Sequence, residues 1–533
     1  ILSAGGAVDN AGKVTGEGPG GVLIQRGAGL VQETGFDGTL TNTGTITGSN
    51  GYGAVVLVTD TATITNSGTI TGATSGAVVE GLQVSQEIAQ TGTISNSGTI
   101  TGSGTFGAAV AGFLDTAEVN NSGSISGATD GVILGNFGTA TLVNTGAITG
   151  GGRGVWGDDS GAVILDNAGT ITGSSGIAVQ LGSFDDRVTL RTGSAMSGAV
   201  DAGGGNDSLT LDGDVLELTE AQQLTEATGF ETLDVAAGYW STAGMVGAFD
   251  NVSIASGASL QVNEIDLGAG DTSSPILTPS VRTDGLLDVH DRTDDVVSDL
   301  ADLTIDGTGQ LQLIGDAVFT VDTSNIAHTG GTIISNGGLV LTGLLQGDVK
   351  TEGAGFFELG AGGSEGSFAG NIVNDGRFVF NRSDDYDFLG AFSGSGTLDK
   401  MGDGALTIMG DYAFQGVTNN HGGSVRIGGT IDPGTEFDLG DGGTLDITGK
   451  DQTIGGLEGD AGSNVVIGDS QLTVDQSGNT AFGGDISGTG SLVKEGAGTL
   501  NLTGNSSYTG PTSVNGGTLA VNGSIASPVT VNS

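Results

Sequence analysis

No cysteine occurs among the 533 residues, and proline (6), histidine (3) and basic side chains (14) are scarce. Without cysteine there is no disulfide framework, so strand stacking has to supply the stability of an exported chain. A large cytosolic protein usually carries some cysteine, and its absence points towards export. The 14 Lys and Arg stand against 61 Asp and Glu, a formal net charge of −47. That balance excludes nucleic acid and anionic lipid as partners, because neither is steered in. It favours solubility and weak binding of divalent cations. No apolar run approaches the roughly 20 residues of a membrane helix. No signal peptide is visible, and the chain opens at Ile1 in mid-pattern, as a mature or excised fragment does.

What the sequence has in abundance is glycine, 105 residues, set in a repeat. Residues 41–48 read Thr-Asn-Thr-Gly-Thr-Ile-Thr-Gly, and the core Asn-x-Gly-x-(Ile/Val)-(Thr/Ser)-Gly starts at Asn10, Asn42, Asn66, Asn96, Asn121, Asn144 and Asn167. The spacings, about 23 to 32 residues, are those of a solenoid. Each copy fits a short strand with its β-branched residue turned in and its polar neighbours turned out. The Asn and the first Gly suit left-handed backbone at a corner. Stacked copies place Val14, Ile46, Ile70, Ile100, Ile125, Ile148 and Ile171 in one core column. The seven Asn form a second column, whose amides bond along the stack as in other in-register Asn ladders. A second apolar run follows each motif, as at residues 53–58 and 107–114, and a third short strand leads back, as at 62–65 and 140–143. Three short strands per repeat describe an all-β, right-handed, three-sided parallel β-helix, a single-stranded solenoid. Low-complexity disorder is the rival that Gly, Ser and Thr richness favours. A disordered chain does not keep a buried-type Ile in phase through seven repeats.

Along the chain, residues 1–180 are the regular array and 181–302 a degenerate stretch. Within the latter, 219–228 is the best helix candidate, with Thr219 as cap and Glu220 in the first turn. Residues 268–302, rich in Asp and containing Pro275, Pro279 and His290, read as a protruding loop. Regular strands return over 303–391 and continue through 392–533.

Candidate chemistry is thin. Gly157-Asp-Asp-Ser-Gly161 superficially resembles a serine-protease block, but no His lies before His290. Gly468-Asp-Ser-Gln-Leu472 resembles a lipase block, yet it sits between two solenoid strands and reads as a corner. Residues 203–211 partly match a calcium-binding nonapeptide, with Ala202 where its first Gly belongs. With the turn one coil earlier, this makes Asp185, Asp186, Asn206 and Asp207 calcium candidates, beside the plain reading of a solvated corner. Trp156, Tyr239 and Trp240 are candidates for stacking sugars, with local core the favoured reading. No catalytic residue and no other cofactor is expected.

Residues 393–423 and 487–517 align without a gap, Gly394 on Gly488, Leu398 on Leu492, Lys400 on Lys494, Leu406 on Leu500, Gly410 on Gly504 and Phe414 on Tyr508. This pattern, G-x-G-x-L-x-K-x-G-x-G-x-L-x-L-x-G, resembles the passenger-associated repeat of bacterial autotransporters, the type V secreted proteins. The Asn-x-Gly array and the Gly-Gly-Gly-Asn-Asp turn look like autotransporter passengers too. The resemblance implies export across the outer membrane by a C-terminal β-barrel, which this sequence does not contain. It implies a non-enzymatic adhesin or self-associating surface rod. Its partners are copies of itself, or glycans or proteins of a host or cell surface. Two alternatives stand: the stalk of an enzyme whose catalytic domain lies before Ile1, and a self-assembling surface-layer or fibre subunit.

Overall fold

The computed structural model describes residues 6–17, 20–25, 36–83, 90–136, 138–215, 222–224, 226–242, 249–263, 277–283, 285–291, 298–299, 304–316, 318–322, 325–440 and 442–532. It divides into two units, Ile1–Asn263 with Asp271–Ser280, and Glu264–Gly270 with Val281–Ser533. Every regular element among the described residues is a strand, and the strands pair in parallel as a β-solenoid.

In the first unit one coil is three strands. Thr91–Asn96, Thr99–Gly102 and Phe106–Gly112 follow one another. Each pairs with the strand one coil back and one coil on. The register carries the motif without a slip: Ile100 pairs with Ile70 on one side and Ile125 on the other. Ile46, Ile70, Ile100, Ile125, Ile148 and Ile171 are all fully buried. Each contributes on the order of 2 to 3 kcal/mol of apolar burial. Val14, paired with Ile46, is half-buried. Thr170–Gln180 runs unbroken over two faces, pairing with both Ala147–Gly150 and Arg153–Gly157.

The corner glycines have a different cause from the one expected. Gly44, Gly68, Gly98, Gly123, Gly146 and Gly169 are not among the glycines at positive φ. They are needed because the coils touch there: a Cβ on Gly98 would sit 2.1 Å from the Gly68 carbonyl oxygen. Close backbone approach, not left-handed geometry, selects glycine.

Two further expectations are corrected. In place of a helix over 219–228, Gln222–Leu224 and Ala227–Thr228 are strands, paired with Tyr239–Thr242 and Ala195–Asp201. Pairing to neighbouring coils overrides a weak local helix preference; Thr219 and Glu220 lie outside the described residues. Within 268–302, Leu277–Thr283, Leu286–Asp291 and Ser298–Asp299 are strands, and Leu286–Asp291 continues in register onto Gln310–Gly315. Leu287 and Val289 are buried, so alternation holds there despite the acidic content. Residues 268–276, 284, 292–297 and 300–302 lie outside the described residues.

The second unit builds its core from aromatics. Phe357 stacks on Phe378 with ring centres 5.5 Å apart. Phe392 meets Tyr412 at 5.1 Å and Phe414 at 5.2 Å. All are buried. Offset and edge contacts of this kind add to the area term.

Candidate functional site

Strand parity decides what the first unit shows to its surroundings. On the face built by Thr45–Gly48, Thr69–Gly72, Thr99–Gly102, Ser124–Gly127 and Ala147–Gly150, Ile points in and hydroxyls point out. One outward file pairs Thr45, Thr69, Thr99 and Ser124. The other pairs Thr47, Thr71, Thr101, Ser126, Thr149 and Thr172. Ser126 Oγ donates to Thr101 Oγ1 at 3.2 Å, and this stacking leaves Thr101 half-buried where Thr99 is exposed. These strands contain no charged residue at all. In a chain of net charge −47, these five strands add no like charge to the surface.

At the corner beside that face the Asn column forms the expected ladder. Nδ2 of Asn42 donates to Oδ1 of Asn66 at 2.7 Å, and the contact repeats at 2.7 or 2.8 Å through Asn96, Asn121, Asn144 and Asn167. Each of these Nδ2 groups also donates to a carbonyl of the next coil, as Asn96 does to Ser124 O at 3.2 Å. The ladder closes at Asn167, which pairs with Leu190 and whose Nδ2 keeps only the bond to the glycine two residues on, Gly169 O at 2.9 Å, that the other amides also make.

The four calcium candidates do not share one centre. Asp186 and Asp207 point in and are 1 % exposed, while Asp185 and Asn206 are exposed. Asp186 Oδ1 accepts from Val163 N at 2.6 Å, Asp207 Oδ1 from Asp186 N at 2.6 Å, and Glu231 Oε2 from Asp207 N at 2.6 Å. Outside, Asp185 Oδ1 accepts from Asn206 N at 3.0 Å. The carboxylates thus cap backbone N–H groups of the preceding or following coil. Asp186 Oδ2 and Asp207 Oδ2 have no hydrogen-bond partner. Burial, partly offset by the backbone donors and reinforced by acidic neighbours, pushes both carboxyls up to about 6. Among the described residues no group of three or more His, Asp or Glu side chains is placed to hold a metal ion.

The aromatic candidates divide. Tyr239 and Trp240 are core, with Trp240 Nε1 donating to Ala237 O at 2.9 Å. Trp156 is half-buried on an outward file, and the Arg153 guanidinium lies 4.1 Å over its ring. The two blocks that resemble hydrolase motifs are corners. Ser160 donates to its own neighbour Asp158, and Ser470 Oγ accepts from Gly449 N at 3.0 Å.

In the aligned C-terminal repeats, the lysine proves to be an interior residue. Lys400 and Lys494 are fully buried. Lys400 Nζ donates to the carbonyls of Met401, Gly402 and Gly422 at 2.6, 2.8 and 3.0 Å, and Lys494 Nζ to those of Glu495 and Gly496. The Lys400 ammonium thus draws together carbonyls of two successive coils at the corner. Burial lowers Lys400 to about 8. The signal was in the sequence: Leu398 and Lys400 are two apart, so both face the core.

The fold is a parallel β-solenoid, with buried lysines at two of its C-terminal corners. Residues 492–521 match the family described as Passenger-associated-transport-repeat. The chain is 39 % identical over 141 residues to the Adhesin BmaC autotransporter of Brucella suis biovar 1, which covers 25 % of this chain and 4 % of that protein. It is 55 % identical over 49 residues to an Extracellular serine protease of Serratia marcescens, covering 9 % of this chain and 5 % of that protein. The chain therefore spans a small part of the curated relatives it matches. No solved structure matches it. The chain carries the passenger-associated repeat over residues 492–521 and is similar, along part of its length, to an autotransporter adhesin.

Proposed function

We propose that this passenger is exported to the cell surface or the extracellular space and works there as an adhesive rod, by side-by-side association with copies of itself. The observation that carries the reading is the charge-free hydroxyl face on Thr45–Gly48 and its successors. The acidic parts of the surface repel another copy, over about 10 Å at 0.1 M salt. On this face nothing repels, and hydroxyls repeat at the strand spacing of about 4.8 Å. Each bond adds about 1 kcal/mol net, so many have to act together. Association strengthens with raised salt, with calcium, and as pH falls towards the carboxylate range near 4. The Brucella relative is called an adhesin, which supports the reading.

The short match to a Serratia protease favours a second reading, the stalk of an enzyme. Settling of cells displaying the passenger separates the two. Clumping that grows with salt supports the adhesive rod; cells that stay dispersed in every condition support the stalk.

A further inference from the structure

The ladders of strands in the second unit are interrupted in more than one place, and one such break is bordered by charged side chains. Ser367–Ala369 ends one sheet and Tyr386–Phe388 begins another. No backbone bond joins these two strands. The Tyr386 hydroxyl bridges the break instead, donating to Phe368 O at 2.8 Å and accepting from Phe368 N at 3.2 Å. That satisfies the edge of the earlier strand. The later strand is different. Phe388 O accepts from Met409 N at 3.0 Å, so Phe388 faces the following coil. In a parallel ladder successive residues aim their backbone groups to opposite sides. The N–H and C=O of Asp387 are therefore aimed into the break.

A hollow of about 550 Å³ lies there, lined among others by Phe368, Arg382, Asp385, Tyr386, Asp387 and Leu389. Arg382 does not neutralise it: the guanidinium is held by Asp384 and by the carbonyls of Ser364, Glu365 and Gly366. Asp385 and Asp387 remain exposed beside it. At its lip Leu389 is 80 % exposed, and Met409, one coil on, is 52 % exposed. Strand edge, surplus negative charge and an apolar lip thus meet at one place.

We propose that this break is a docking slot for an extended polypeptide segment of a partner, one that alternates basic and aliphatic side chains. Its backbone adds to the Asp387 edge, as in strand addition to an open sheet. Its cationic side chains meet Asp385 and Asp387, and its aliphatic ones cover Leu389 and Met409. The slot is separate from the hydroxyl face of the first unit and does not depend on self-association.

The test uses the full chain and synthetic hexapeptides of alternating Lys and Val, read by fluorescence anisotropy. Four controls are alternating Glu and Val, the Lys–Val peptide N-methylated at alternate residues, and the Asp387→Asn and Leu389→Ser proteins. The expected result is saturable binding of the Lys–Val peptide, at least tenfold weaker for each control peptide and each variant. Absence of binding overturns the proposal. Binding that survives N-methylation unchanged overturns strand addition. Binding untouched by both substitutions overturns the location.

Discussion

Asn96 Nδ2 donates to Asn121 Oδ1 across 2.8 Å, although the two residues are 25 apart in sequence. Both side chains are 3 % exposed. The contact is one rung of a ladder in which each interior amide accepts from one neighbour and donates to the next. Removing a rung leaves the buried Asn121 Oδ1 without its donor, while Asn66 Nδ2 keeps only the Gly68 and Thr99 carbonyls. Asn96→Ala is expected to cost about 2 to 4 kcal/mol. Asn10→Ala, at a half-buried position, costs less. Hydrogen exchange of the flanking strands reads both, with protection lost first around residues 91–102 for Asn96→Ala.

The corner glycines give a sharper contrast. A Cβ on Gly98 meets the Gly68 carbonyl oxygen at 2.1 Å, whereas one on Gly12 meets nothing within 4 Å. Gly98→Ala is expected to force the coils apart and destabilise by several kcal/mol, more than a surface change ever does. Gly12→Ala, in the same motif, stays within about 0.5 kcal/mol. Denaturant midpoints of the two variants check this. Equal midpoints would show that close approach is not what the glycine serves.

Asp186 and Asp207 make part of the first unit's stability depend on pH in an unusual direction. Both carboxyls titrate near 6 in the folded state and near 3.8 when exposed. The folded state thus holds protons that the unfolded chain gives up between those values. Their contribution is fully present below about 3.8 and is lost as pH rises through about 6. It amounts to on the order of 1 to 2 kcal/mol per carboxyl after allowing for screening. Stability is expected to rise as pH falls from 7 towards 4. In the Asp186→Asn/Asp207→Asn protein that rise is reduced. Thermal melts across this range measure both.

Lys400 closes three carbonyls with one ammonium. Lys400→Met keeps the volume and leaves those acceptors unpaired, so a loss of about 2 to 4 kcal/mol is expected. An apolar replacement as stable as the parent would mean that the ammonium contributes nothing beyond its stem.

The sequence disclosed those features that depend on period. Ile100 and Asn96 sit in columns because their spacing repeats from coil to coil, and register preserves that spacing. Features that depend on contact between coils were harder to read. The glycine of Asn-x-Gly looks like a turn residue in one repeat, and only the neighbouring coil shows what it avoids. Asp185 and Asp186 look like one acidic pair, yet in the corner before Arg187–Arg191 one is exposed and the other is turned inside to cap the Val163 N–H of the preceding coil. Of the helix expected over 219–228, the described residues Gln222–Leu224 and Ala227–Thr228 are strands, because strand pairing, not local preference, decides the element. The break at Phe368 and Tyr386 left no periodic trace, since it arises where pairing stops.

The most direct test of the adhesive-rod account is sedimentation velocity of the purified protein and of its Thr71→Asp/Thr101→Asp variant, at low and at high salt. Both threonines point outward from a charge-free face, so the substitutions add like charge there and leave the Ile column untouched. The account predicts monomers at low salt, larger species at high salt for the parent, and monomers throughout for the variant. A parent that stays monomeric in both conditions, or a variant that associates as the parent does, would contradict it.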